Sequence, residues 1–260
     1  MPFQHDIDPL MFQLGDLHIY WYSFFLALGV LLCYFRLRIV ATDLRLPRNL
    51  PESLMIHAIV GMFVGARLGH AFFYNPLFFS EHPLQLFMLW QPGLSSHGAA
   101  GGVLVSVYLW SRVHRQPFYP RCGMLSLGLP LILVGARIGN FFNSEAVGRA
   151  TAGEWGVVFL RLGESFPRHP LQLYESLAAL AIFLLLNSLH RRRPDITASA
   201  LPLFLFGLLY FSTRFLLEYW QPAAATDPTA ALTMGQLLSL PPLLAALLYF
   251  AWRVRPSDRR

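Results

Sequence analysis

The stretch "ARIGNFFNSE" packs Arg137, Asn140, Asn143 and Glu145 into the end of an apolar run. Lipid-facing helices do not carry such groups cheaply, so an arginine in this setting points to an anionic partner. Two more arginines, Arg67 and Arg214, interrupt other apolar runs. Tyr210, Arg214 and Glu218 recur at four-residue spacing, which sets them on one helix face. His97 stands in "SSHGAAGG", where small residues bare the backbone for close approach of a ligand. Each placement has a plainer reading. An arginine stem can snorkel its head to the interface. Arg214 and Glu218 can simply neutralise each other. Tyr22, in "HIYWYS", has the character of an interfacial aromatic, and a lone histidine is more often structural.

The elements that must hold these groups are set by composition. The chain of 260 residues is 55% hydrophobic and 13% charged, against about a quarter charged in a soluble domain. Apolar runs near 19–35, 54–74, 95–111, 123–142, 171–189, 200–219 and 233–252 each approach the roughly 20 residues that cross a bilayer. The expected fold is therefore all-α, a polytopic membrane protein of about seven transmembrane helices. Residues 1–260 read as a single membrane domain, with 143–170 inserted as a small head. The first apolar run has no small-residue cleavage site after it and reads as a span rather than a removed signal.

Every one of the twenty basic residues is Arg and the net charge is +6. Arginines fill the loops after spans one, three and five and the C-terminal tail, while 75–94 and 220–232 contain none. By the positive-inside rule the N-terminus lies outside and the C-terminus in the cytoplasm. The basic excess is then a matter of topology and codon usage, and no nucleic-acid partner is expected. Arg67, Arg137 and Arg214 all lie on spans that run outward, each about 20 Å past the cytoplasmic start at 1.5 Å per residue. That is roughly 10 Å beneath the outer surface of a core about 30 Å thick. Three coincident depths favour a shared anionic partner over snorkelling. "VGARLG" at 64–69 returns as "VGARIG" at 134–139. Its glycines at four-residue spacing permit close helix approach, which would bring Arg67 and Arg137 toward one cavity. Cys33 and Cys122 have no metal-ligand spacing, and no ligand cluster argues for a metal.

At these residues the chain resembles the bacterial prolipoprotein diacylglyceryl transferases over nearly its whole length. The resemblance is carried by "GARLGHAFFYN", "SSHGAAGG", "RIGNFFNSEAVGR", "RHPLQLYE", "YFSTRFLLEY" and "MGQLLSLP". It implies a multi-pass protein of the bacterial inner membrane with a periplasmic N-terminus and head. The implied reaction moves a diacylglyceryl group from phosphatidylglycerol to the lipobox cysteine of a preprolipoprotein, with no cofactor. The implied catalytic residues are His97, Arg137, Arg214 and Tyr22. Asn140, Asn143, Glu145, Gly148, Tyr210, Glu218 and Arg67 would bind substrate. An anion or lipid transporter also suits buried arginines, but the polar layer stops at the outer side, where a translocation path would continue inward. A divergent paralogue with another acceptor is the third reading.

Overall fold

The computed structural model describes residues 2–88, 93, 95–222 and 232–254. The N-terminus holds three short strands, β1 (Phe3–His5), β2 (Leu10–Leu14) and β3 (Leu17–Tyr20), before helix α1 (Trp21–Asp43). There follow α2 (Leu50–Phe73), α3 (Pro76–Glu81), α4 (Ser96–Val113), α5 (Phe118–Ser126) and α6 (Leu129–Phe142). Strand β4 (Val157–Phe159) interrupts the helices, and α7 (Leu171–Arg192), α8 (Pro194–Thr197), α9 (Leu201–Leu217) and α10 (Met234–Val254) complete the chain. Single 3-10 turns cover Pro83–Phe87, Leu160–Leu162 and Glu218–Trp220.

Each expected span contains helix, but two boundaries shift with consequences. The α1 helix continues to Asp43, so Arg36 and Arg38 belong to its last turns rather than to a loop. The fourth span is broken into α5 and α6, which meet at a bend of 40°. Pro130 in the first turn of α6 has no N–H for the carbonyl four residues back. The chain closes the break with three-residue bonds instead, Leu127 N–H to Met124 O at 3.2 Å and Gly128 N–H to Leu125 O at 3.0 Å.

Among the described residues, five helices are each long and apolar enough to cross a membrane, or six with the bent pair taken as one span. The expected seven exceeds that by α4, whose 18 residues begin with a Gly- and Ala-rich turn. The fold is thus an all-α multi-pass membrane protein, with the count of seven not reached by length and apolarity alone. The Arg-free loop 220–232 and the tail arginines Arg255, Arg259 and Arg260 lie largely or wholly outside the described residues.

The glycine echo packs in a way the sequence did not foretell. Gly61, Gly65 and Gly69 of α2 face α4, where a Cβ on Gly102 would stand 2.0 Å from the Gly61 carbonyl oxygen. Gly135 and Gly139 of α6 face α1 instead, and a Cβ on Gly139 would meet the Tyr22 Cα at 2.8 Å. The two copies therefore serve different helix pairs, and they do not draw Arg67 toward Arg137. Gly102→Leu should force α2 and α4 apart and cost about 1–3 kcal/mol or more. A drop of several degrees in the thermal unfolding midpoint of the detergent-solubilised protein is the expected result.

The buried core clusters Cys33, Leu37, Leu54, Leu127, Leu186 and Phe206 at the end of the bundle that carries Arg36. The opposite end is tied together by strands. The β1 strand pairs in parallel with β4, register Phe3 to Val157 and His5 to Phe159. The 143–170 segment is therefore completed by the N-terminus, which crosses the chain to reach it.

Candidate active site

Arg137 lies on the C-terminal half of α6 and its Nε contacts Glu175 Oε2 at 2.7 Å. Glu175 stands one turn into α7, and its other oxygen meets Arg214 Nη1 on α9 at 3.0 Å. Arg214 Nη2 continues to Glu218 Oε2 at 3.2 Å, and Thr233 donates to Glu218 Oε1 at 3.0 Å. In the other direction Arg137 Nη1 donates to Asn140 Oδ1 at 3.3 Å. Asn140 Nδ2 and Asn143 Nδ2 donate to the two oxygens of Glu145, at 3.0 and 3.3 Å. One unbroken polar chain therefore joins α6, α7, α9 and the residue before α10. Two arginines and two glutamates form its centre, with side-chain exposures of 26% for each arginine, 10% for Glu175 and 8% for Glu218. Removing one member of such a half-desolvated set leaves the others uncompensated, a cost of about 3–5 kcal/mol when burial is complete.

The Arg137–Glu175 pair lines two spaces. A narrow pocket runs along it toward Leu133, Ile182 and Tyr210, with Arg214 beside them. An open cleft of about 540 Å³ lies on the head side, against Ala146, Val147 and Gln221. One space runs between the helices and the other reaches the loops, so a molecule with greasy and polar parts can bring both to Arg137 and Glu175, which line the two.

Local sequence explains these positions. Arg137 and Asn140 are three apart on one helix and so touch. After Asn143 the chain turns sharply, with Ser144 at φ 57° and Ala146 at φ 52°. Left-handed backbone costs a non-glycine residue roughly 1–2 kcal/mol, so surrounding contacts must hold the turn. Gln172 Nε2 donates to the Glu145 carbonyl at 2.6 Å, and Glu145 N–H donates to Asn140 O at 2.9 Å. Gly148 N–H donates to His169 O at 2.9 Å. A Cβ there would stand 2.6 Å from that oxygen and 3.0 Å from Trp220 O. Gly148 thus fits the head loop against the end of α9. In "MGQ", a Cβ on Gly235 would come within 2.4 Å of the Glu218 carboxylate, so glycine lets α10 cover that acid.

The sequence candidates divide as follows. Arg137, Arg214, Glu218, Asn140, Asn143 and Glu145 share the polar chain, and Tyr210 lines its cavity with its ring stacked on Phe206 at 5.4 Å. Tyr22 lies on the second residue of α1, against Gly139 of the arginine helix. Arg67 does not join them. It is buried at 3% exposure, donates to Gln85 O at 2.7 Å and Gly93 O at 3.2 Å, and lies over the Phe79 ring at 5.1 Å. Its guanidinium ties Gln85 and Gly93 to α2, with the Phe79 ring beneath it. His97 is exposed in the first turn of α4, and among the described residues it makes no hydrogen bond or ion pair with the arginine cluster.

Sequence reasoning missed Glu175, the acid between the two arginines. The signal was present: it stands near the start of α7, in an apolar stretch whose other charges wait until Arg191 and Arg192. Thr233 and Gln172 gave no such signal.

The family described as prolipoprotein diacylglyceryl transferase matches residues 9–252. A phosphatidylglycerol–prolipoprotein diacylglyceryl transferase of Tolumonas auensis is 38% identical over 258 residues, 97% of this chain and 98% of its own. The protein of the same name from Bordetella parapertussis is 36% identical, covering 97% and 98%. That from the Wolbachia of Culex pipiens is 34% identical, covering 94% of each. With the family match spanning almost every helix and both arms of the polar chain, this chain belongs to the prolipoprotein diacylglyceryl transferase family.

Proposed function

We propose that the chain transfers the diacylglyceryl group of phosphatidylglycerol to the lipobox cysteine thiol of a preprolipoprotein, at the Arg137–Glu175–Arg214 cluster. The observation that carries this is the pair of guanidiniums held about one carboxylate, between an apolar cavity and a cleft open to the head. A carboxylate is a fair stand-in for a phosphate in size, charge and two-oxygen geometry. The lipid phosphate takes its place between the arginines, with acyl chains along Leu133, Ile182 and Tyr210.

The thiolate sulfur attacks the glycerol carbon, forming a thioether as the bond from that carbon to the phosphate oxygen breaks. Glycerol phosphate leaves with the bonding electron pair, and Arg137 and Arg214 meet the growing negative charge. Asn140 and Asn143, oriented by Glu145, bind the departing glycerol hydroxyls. The thiol proton passes to a base and then to the phosphate. His97 is the candidate, an imidazole being the side chain best suited to take and return a proton near neutral pH. It reaches the thiol only with the substrate in place, since the cluster itself is formed without it. Tyr22 packs at the mouth beside α6, and Arg67 supports the site by tying Gln85 and Gly93 to α2.

His97→Gln keeps hydrogen bonding but abolishes basicity. Its kcat should fall by about 10²-fold or more; an unchanged kcat would refute the base role. The site faces the periplasm in this reading, with the N-terminus outside and the C-terminus inside. Single cysteines at Glu81 and Asp195 in a Cys-free background report it. An impermeant thiol reagent should label position 81 in intact cells and spare 195 until lysis. The reaction itself is tested by incubating the purified protein with head-group-labelled phosphatidylglycerol and a lipobox peptide. Glycerol phosphate and a diacylglyceryl thioether should appear in equal amounts. Uptake of lipid without either product would favour a binding or transport role.

A further inference from the structure

His5 is fully buried, at 0% exposure, although it sits only four residues from the end of the chain. Its ring lies edge-on to Phe141 at 4.8 Å and tilted against Phe159 at 5.2 Å. The parallel pairing of β1 with β4 fixes its backbone opposite Phe159. Its Nδ1 meets Ser144 Oγ at 3.3 Å, and its Nε2 has no hydrogen-bond partner among the described residues. That hydrogen bond is the side-chain tether of the ring to the turn. Ser144 in turn is 4% exposed and holds the left-handed backbone between Asn143 and Glu145.

We propose that His5 is a positioning residue for the transfer reaction: through Ser144 it locks the strained turn that aims Asn143 and Glu145 at the lipid head group. The inference rests on the reading above that Asn140, Asn143 and Glu145 bind substrate. The physical need is specific. Ser144 must be kept in a conformation that an L-residue abandons readily, and the two groups on either side must stay in register with Asn140. Gln172 anchors the turn from α7 at the Glu145 carbonyl. The N-terminal strand anchors it from the other side, at the hydroxyl. Burial pushes the His5 imidazole below its ordinary value, against the smaller opposite pulls of a backbone hydrogen bond and of Asp6, which favours a neutral ring among its phenyl surroundings. The β1 strand thereby does more than close the head: it carries one side chain to the back of the head-group site.

The test is a set of five variants assayed with phosphatidylglycerol and a lipobox peptide. His5→Phe keeps the ring contacts and removes the hydrogen bond, while Ser144→Ala removes the same bond from the other side. Each should raise KM for the lipid about five- to tenfold and leave kcat within about twofold. The double variant should be no worse than either single one, because both delete one contact. His5→Asn, whose amide stands where Nδ1 stood, should recover most of the lost affinity. Normal KM in both single variants, or multiplied losses in the double variant, would overturn the inference. Asn140→Ala separates this from the underlying reading. If it is impaired while His5→Phe and Ser144→Ala are normal, only the His5 role fails. If Asn140→Ala is itself normal, the head-group site is misplaced. Ser144→Ala deletes one hydroxyl only, so it keeps the proposal testable if His5→Phe does not fold.

Discussion

Arg137→Lys should lower kcat for diacylglyceryl transfer by about 10³-fold while the protein still inserts and extracts as wild type. Charge is conserved in that change, so a purely electrostatic role predicts little loss. The fork is what disappears. Arg137 contacts Glu175 through Nε and Asn140 through Nη1 at once, and a single ammonium cannot span both directions. On the reaction side, the departing phosphate loses one of two planar donors at the moment its charge grows. Turnover of the Lys variant within tenfold of wild type, measured on purified protein, would show that Arg137 supplies charge and not geometry.

Glu175→Gln is the second large effect, and it acts through the arginines. The carboxylate gives one oxygen to Arg137 at 2.7 Å and the other to Arg214 at 3.0 Å. A glutamine keeps one acceptor and turns an N–H₂ group toward the other guanidinium. That contact is repulsive, so one arginine must swing away from its place. With two arginines and two glutamates the cluster is formally neutral, and the substitution leaves it at +1. The anionic lipid should therefore bind at least as well, while kcat falls about 10²-fold, equivalent to about 2.7 kcal/mol of lost transition-state stabilisation. Steady-state kcat and KM separate these effects, and an unchanged kcat would make Glu175 a bystander.

The contrast between Arg214 and Arg67 shows how far the sequence carries. Hydropathy and arginine counts lead one to expect both arginines in outward-running spans at one depth. Depth along a helix says nothing of azimuth or neighbour, however. Arg214 turns to Glu175, and Arg67 turns to carbonyls of the 83–93 segment. The repeated "VGAR" likewise announced close helix packing correctly, but which helix each glycine row would meet is a tertiary choice. Pro130 marked the break in the fourth span, hidden inside an apolar stretch that reads as continuous. The acid that organises the site, Glu175, was overlooked because a lone glutamate near a helix start reads as an ordinary interfacial charge. Only the convergence of α6, α7 and α9 gives it two arginines. The pairing of His5 with Ser144 is less legible still, since the residues are 139 apart and neither belongs to a periodic pattern.

We propose that the lipid phosphate sits between Arg137 and Arg214, in the place where Glu175 bridges the two guanidiniums. An experimental structure of the His97→Gln variant in nanodiscs containing phosphatidylglycerol tests this most directly. The account predicts phosphate oxygens about 2.7–2.9 Å from nitrogens of both guanidiniums, with the Arg137–Glu175 contact opened and acyl chains along Leu133 and Tyr210. A phosphate bound elsewhere, with both arginines still closed on Glu175, would contradict it.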